Sequence, residues 1–195
     1  MYKHNSLCYN SNIVGYAFIY GEEISMKDIE VIMGPTFSGK NTYLLKKWHD
    51  MSQTHCIIAH TTRPPREDEV DCFDYYFENE YIDSDTNICV RSYMSAFNTR
   101  WTYWVNKNDI MDDRINLVIL DYEGFDELYN LYKDDKNTDV VGLYLNTPLS
   151  IIEERIKNSP RKNENQKETF RRLNDDCQKF KGIQNDKRVI MIDKY

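Results

Sequence analysis

The chain has 195 residues, 41% of them apolar and 29% charged, with a formal net charge of -7. That length carries one domain with a real core, or one domain with a small inserted lobe, and the acidity excludes a global field for nucleic acid or an anionic membrane, leaving only a local anion site. The five cysteines are too widely spaced for a zinc or redox motif, and no apolar run approaches a membrane span, so a cytoplasmic protein with free thiols and no membrane or nucleic-acid partner is expected.

Residues 1–27 read as an N-terminal extension of unassigned role, in which 13–20 (IVGYAFIY) has the apolar content of a strand. Residues 28–33 (DIEVIM) predict a short buried strand, GPTFSGKN a glycine-bearing turn, and 42–51 a helix with Leu44, Leu45 and Trp48 on one face. Residues 56–60 (CIIAH) predict a second strand, and 61–74 a charged loop punctuated by Pro64 and Pro65. Strands are expected at 75–81, 88–93 and 100–105, with a short helix at 106–111. Residues 115–120 (INLVIL) predict a buried strand ending at Asp121, followed by a helix at 125–132 and a further strand at 140–145. Pro148 precedes a helix over 149–157; a polar loop, a helix over 168–180 and a last strand at 189–192 complete the chain.

Short apolar strands alternating with amphipathic helices predict an α/β fold of three layers around a mostly parallel sheet. Residues 28–74 and 106–195 are expected to build the core, with a lid at 158–167. Residues 75–105 break the pattern and read as a small inserted lobe.

Gly34-Pro35-Thr36-Phe37-Ser38-Gly39-Lys40 matches the G-x-x-x-x-G-K part of a P-loop. Gly34 and Gly39 permit a tight turn and close phosphate approach. Successive amides and the following helix N-terminus hold anionic oxygens, and Lys40 would reach the β- and γ-phosphates. Strand, loop and helix in that order are the context such a loop needs. The position after the lysine, where a hydroxyl normally ligates Mg²⁺, is Asn41, whose amide oxygen can also ligate; Thr42 follows it.

Four segments together, in order, resemble the guanylate kinases. They are Gly34–Lys40; Thr61-Thr62-Arg63-Pro64-Pro65-Arg66; Asp74-Tyr75-Tyr76-Phe77; and Ile119-Leu120-Asp121-Tyr122-Glu123-Gly124. The resemblance implies a P-loop fold with a lobe for the acceptor nucleotide. It implies transfer of the γ-phosphoryl group of ATP, with Mg²⁺, to a nucleoside monophosphate, GMP or dGMP by default, in a monomer or homodimer. By motif position it implies that Arg63, Arg66 and Tyr75 clamp the acceptor phosphate, a role suited to the fixed donors of arginine. Tyr103 corresponds to a second tyrosine, Asp121 and Glu123 to acceptor-side carboxylates, and Asn41 and Asp121 to metal-organising groups acting mostly through water. Arg155, Arg161 and Arg172 correspond to arginines that neutralise the moving phosphoryl group.

The departures lie at the base pocket. Ala59 stands where the family has a serine, residues 88–98 contain no acid to read guanine N–H groups, and Val105 stands where a hydroxyl is expected. Two other readings therefore stay open: a catalytically weak nucleotide-binding module, and a P-loop kinase for a different phosphorylated acceptor.

Overall fold

The computed structural model describes residues 27–159 and 166–193. The expected strand at 13–20, the proposed arginine Arg161 and most of the 158–167 lid lie outside the described residues.

Five strands form a fully parallel sheet: β1 (Lys27–Met33), β2 (Thr54–Cys56), β7 (Ile115–Ile119), β8 (Thr138–Leu145) and β9 (Val189–Ile192), in the order β2-β7-β1-β8-β9. Such a sheet must be covered on both faces, and alternation along β1 assigns its residues to the two layers. Ile29, Val31 and Met33 face one way, into a cluster with Phe125, Leu128, Phe180 and Ile183. Ile32 faces the other, with Leu117, Leu143, Tyr43 and Leu44. Helix α2 (Tyr122–Tyr132) and helix α4 (Gln166–Lys179) carry or flank the first cluster, and helix α1 (Lys40–Asp50) the second. Helix α3 (Leu149–Asn158) follows β8 and buries Ile152. The three-layer α/β expectation is thus met.

A second sheet, β4-β3-β6-β5, is built from β3 (His60–Thr61), β4 (Tyr76–Phe77), β5 (Asn87–Met94) and β6 (Arg100–Asn106). The β5–β6 hairpin pairs antiparallel, with Arg91 opposite Tyr103, and β6 also pairs antiparallel with β3.

Several local expectations need correction. Residues 56–60 are not one strand: the Ile57 amide still donates to Leu117 O of the large sheet, while Ala59 O accepts from Tyr76 N on the small lobe side. The segment changes sheets at Ile58, and neither sheet claims its middle. Within residues 75–81 only Tyr76–Phe77 form a strand: the ladder ends after Glu78 N donates to Thr61 O, and the exposed chain beyond is tied back by the Tyr81 ring, 5.1 Å edge-on to Trp104. The short helix expected at 106–111 is a 3₁₀ turn at Lys107–Asp109. The inner face of α1 is Tyr43, Leu44 and Lys47, whose ammonium reaches Glu30, so Leu45 and Trp48 remain 39% and 44% exposed. Helix α2 begins at Tyr122, before the expected 125, because Asp121 caps it by accepting from Gly124 N at 2.9 Å.

Gly142 in β8 is required by packing: a Cβ there would sit 2.6 Å from Met33 Cε, 3.0 Å from Val189 Cγ2 and 3.2 Å from Phe125 Cζ. Gly142→Ala is expected to destabilise the fold by about 1–3 kcal/mol through overpacking, read as a lower urea midpoint at unchanged slope.

Candidate active site

The phosphate loop joins β1 to α1 at the carboxyl end of the sheet. Its shape follows from three backbone positions. Gly34 (φ 150°) lies where a Cβ would meet Ser38 Oγ at 2.8 Å. Phe37 (φ 63°) and Gly39 (φ 97°) adopt the left-handed region, and Gly39 caps α1. Outside supports hold the turn: Thr147 Oγ1 donates to Ser38 O at 3.0 Å, and Arg155 Nη1 donates to Ser38 O at 2.6 Å and Phe37 O at 3.0 Å. Arg155, in the last turn of α3 and expected among the arginines that neutralise the moving phosphoryl group, here braces the loop's carbonyls.

Lys40 is folded onto the start of its own loop, donating from Nζ to Gly34 O at 2.8 Å and Pro35 O at 2.9 Å. Burial pushes its ammonium down to about 8; Asp176 opposes that fall and Arg172 adds to it. Asp176, on α4, also accepts from the Thr36 amide at 2.6 Å, so a carboxylate sits on one donor of the loop.

The arginine clamp is organised by Glu69. Arg63 Nη2 donates to Glu69 Oε1 at 2.9 Å, Arg66 Nη1 to the same oxygen at 2.8 Å, and Arg66 N to Oε2 at 2.9 Å. Arg63 and Glu69 side chains are 4% and 5% exposed, so this ion pair is shielded from water. Burial alone would raise the Glu69 pKa, but the hydrogen bonds from Arg63 and the Arg66 amide outweigh it and hold it below its ordinary range. Tyr75 packs beneath Arg63, with its ring 5.5 Å from the guanidinium, and Tyr103 meets Tyr75 edge-on at 6.0 Å. Arg63, Arg66 and Tyr75, expected to hold the acceptor phosphate, line one cavity together with Tyr103.

Asp121 lines that cavity too, but its oxygens are engaged. Oδ1 accepts from Gly124 N at 2.9 Å; Oδ2 accepts from Tyr93 Oη at 2.6 Å and Lys179 Nζ at 2.9 Å. Burial works to raise its pKa, and these donors, Tyr93 and Lys179 foremost, hold it down instead. Glu123 stands at the rim, 63% exposed, with Oε2 3.4 Å from Arg91 Nε.

Two cavities meet here. The inner one is lined by Arg63, Tyr93, Tyr103, Asp121 and Lys179, among others. The outer one runs along the P-loop past Gly39, Asn41, Thr42 and Arg155. Thr36, Lys40, Arg66, Tyr75 and Arg172 line both. Of the remaining positions, Ala59 lines the inner cavity, whereas Val105 is 2% exposed in the core and takes no part in it.

The sequence profile described as "Guanylate kinase" matches residues 26–187. The chain belongs to the guanylate kinase family. The crystal structure of guanylate kinase from Anaplasma phagocytophilum is similar in fold, with a TM-score of 0.53 at 16% identity, covering 87% of this chain and 79% of that one. No curated protein matches. Family membership supports a kinase-like protein, and the fold is the one shared with that guanylate kinase. Among the described residues, no helix is long and apolar enough to cross a membrane.

Sequence reasoning passed over Glu69, Arg91, Tyr93, Asp176 and Lys179. Glu69 was signalled by its position three residues after Arg66. The α4 residues were signalled by a charged stripe at helical spacing: Glu168, Arg172, Asp176 and Lys179 stand at i, i+4, i+8 and i+11. Arg91 stands within residues 88–98, the stretch that contains no acid.

Removing the shared carboxylate should be felt in stability as well as in the clamp. Glu69→Gln is expected to cost about 2 kcal/mol, since Arg63 loses a buried ionic partner. Because the folded-state pKa of Glu69 is lowered, its contribution is full above the ordinary 4.5 and is lost as pH falls through the lowered value. Urea titrations from pH 7 downwards should therefore show the gap between parent and variant closing in acid.

Proposed function

We propose that this protein is a nucleoside monophosphate kinase, transferring the γ-phosphoryl group of ATP to a nucleoside monophosphate, with GMP or dGMP as the default acceptor. The observation that carries this reading is the junction of the two cavities. A P-loop lines one, a double-arginine clamp lines the other, and Lys40, Arg66, Tyr75 and Arg172 stand where they meet.

In this reading the acceptor phosphate rests on Arg63, Arg66 and Tyr75, in the orientation imposed by Glu69. The donor triphosphate lies along the outer cleft on the loop amides. Lys40 turns from the Gly34 and Pro35 carbonyls onto the β- and γ-phosphates, and the Thr36 amide exchanges the Asp176 carboxylate for ligand oxygen. An acceptor phosphate oxygen then bonds to the γ-phosphorus as the bond from that phosphorus to the β-bridging oxygen breaks, releasing ADP and a nucleoside diphosphate. No side-chain base is needed, since position and neutralised charge carry such transfers. Arg172, between the cavities, offsets charge on the group in motion; Arg161 is proposed to join it from the lid. Arg155 acts through its hold on the loop.

Among the described residues, no group of three His, Cys, Asp or Glu side chains could hold a metal unaided. Asn41, exposed in the first turn of α1 and lining the outer cleft, offers a neutral oxygen that fits Mg²⁺ held mainly by nucleotide phosphates and water. Asp121, with both oxygens already accepting, contributes through water at most. When bound, Mg²⁺ supplies charge neutralisation on the phosphates.

A catalytically weak nucleotide-binding module is the second reading, favoured by the Asp176 carboxylate on the Thr36 amide. ADP release with ATP, Mg²⁺ and a panel of ribo- and deoxynucleoside monophosphates separates the two. Kinase activity predicts acceptor-dependent turnover that falls at least about 100-fold in Lys40→Ala. ATP binding with no acceptor-stimulated release would leave the second reading standing. The Lys40 ammonium is also expected to be the anion-binding form. ATP affinity, followed by calorimetry, should fall as pH is raised through about 8 in the parent, and Lys40→Ala should flatten that dependence.

A further inference from the structure

The inner cavity contains a donor edge on which, at Nε, the protein makes no hydrogen bond. Arg91, on β5, makes its hydrogen bonds from Nη1 alone, to Val90 O at 2.7 Å and Glu127 Oε2 at 2.8 Å. Its Nε is buried without a hydrogen bond, in ion-pair range of Glu123 Oε2 at 3.4 Å and Asp121 Oδ1 at 4.0 Å. A buried donor left in this state costs free energy unless a ligand takes it. Arg91 lines the cavity opposite Tyr103 in the hairpin register, two residues from Tyr93 on the same face of the strand. The rings of Tyr93 and Tyr103 lie 5.7 Å apart, and Tyr103 touches Tyr75 of the clamp. A planar base extending from a clamped phosphate would run along this aromatic cluster toward the Nε–Nη2 edge of Arg91.

The acceptors in the same cavity are already engaged. Asp121 accepts from Tyr93, Lys179 and Gly124; Glu168 from Ala96 N and Arg171; Asp175 pairs with Arg171; Asp176 takes the Thr36 amide. The carboxylates that line the cavity thus each hold a protein donor, and Glu123 at the rim faces Arg91 itself, so the wall presents chiefly a donor edge to a base.

Resting on the acceptor-nucleotide reading above, we propose that Arg91 is the base-reading residue and that it selects a 6-oxopurine through the adjacent acceptors O6 and N7. An arginine fork matches that pair of atoms in guanine. Adenine presents N7 beside an amino donor at the same place and is disfavoured. The N1 and N2 protons of guanine contribute little, so hypoxanthine, which keeps O6 and N7 and lacks the 2-amino group, should serve as well.

The test is equilibrium binding by calorimetry of GMP, IMP, AMP, CMP and 7-deaza-GMP to the full chain, with phosphoryl transfer to each measured alongside. GMP and IMP should bind within about 3-fold of one another, and AMP and 7-deaza-GMP about 10- to 100-fold more weakly. Arg91→Gln should erase the difference between GMP and 7-deaza-GMP, and Arg91→Lys should do the same, because a lysine keeps the charge near Glu127 and loses the fork. The parent panel needs no variant, so a folding defect in either substitution leaves the proposal testable. IMP much weaker than GMP with 7-deaza-GMP unaffected, preference for CMP, unchanged ratios in well-folded variants, or no binding by any nucleotide would each overturn it. The expected binding pattern without transfer would refute the kinase reading and leave the base reading intact. Transfer with a preference indifferent to Arg91 would do the reverse.

Discussion

Parallel pairing of β1 with β7, in a register that sets Ile32 opposite Ile119, is the constraint on which the site depends. Parallel strands end on the same edge of the sheet, so the loop leaving β1 and the residue leaving β7 emerge side by side. Gly34 and Asp121 therefore face one crevice although they are far apart in sequence. The phosphate loop, the cap of α2 and the hairpin that rests against them all inherit their positions from that register. The Asn116 side chain on β7, fully buried, helps secure it by donating to Asp28 O at 3.2 Å and Met111 O at 2.8 Å.

The crevice is crowded with charge, yet most of that charge is compensated inside the protein. Arg63 and Arg66 share Glu69; Asp121 is shared by Lys179 and Tyr93; Arg171 joins Glu168 and Asp175. Pairing of this kind lets an acidic chain carry a site for anions without a positive field over its surface. It also fixes rotamers before a ligand arrives, which lowers the ordering cost of binding. Helix α4 is central to the arrangement. Its charged stripe touches the small lobe through Ala96 N, the phosphate loop through Thr36 N and the end of β7 through Asp121. One helix thereby links the small lobe, the phosphate loop and the end of β7.

How much of this could be read beforehand varies with the range of the interaction responsible. The phosphate loop is a local object: glycine spacing, the left-handed turn and the helix start all lie within a few residues, and its position between strand and helix was legible. The strand ends were less so. Residues 56–60 look like a single β segment because Cys-Ile-Ile-Ala is apolar throughout, and only the competition between two sheets for its backbone divides it. Leu45 and Trp48 show the same limit, since the burial of a helix face depends on what covers it.

By itself the sequence determined the alternation of strands and helices, the phosphate loop and the residue types of the clamp, because each rests on periodicity or on short fixed spacing. Tertiary structure alone decided what those groups touch. It put Glu69 between two arginines, folded Lys40 onto its own loop, spent both oxygens of Asp121 and left the Nε of Arg91 without a hydrogen bond. The contacts of Asp121 and Arg91 depend on side chains brought together across long separations in the chain, whereas those of Glu69 and Lys40 are short-range and were set by how their loops turn. No local spacing encodes whether a buried donor or acceptor will find its partner within the fold or must wait for a ligand.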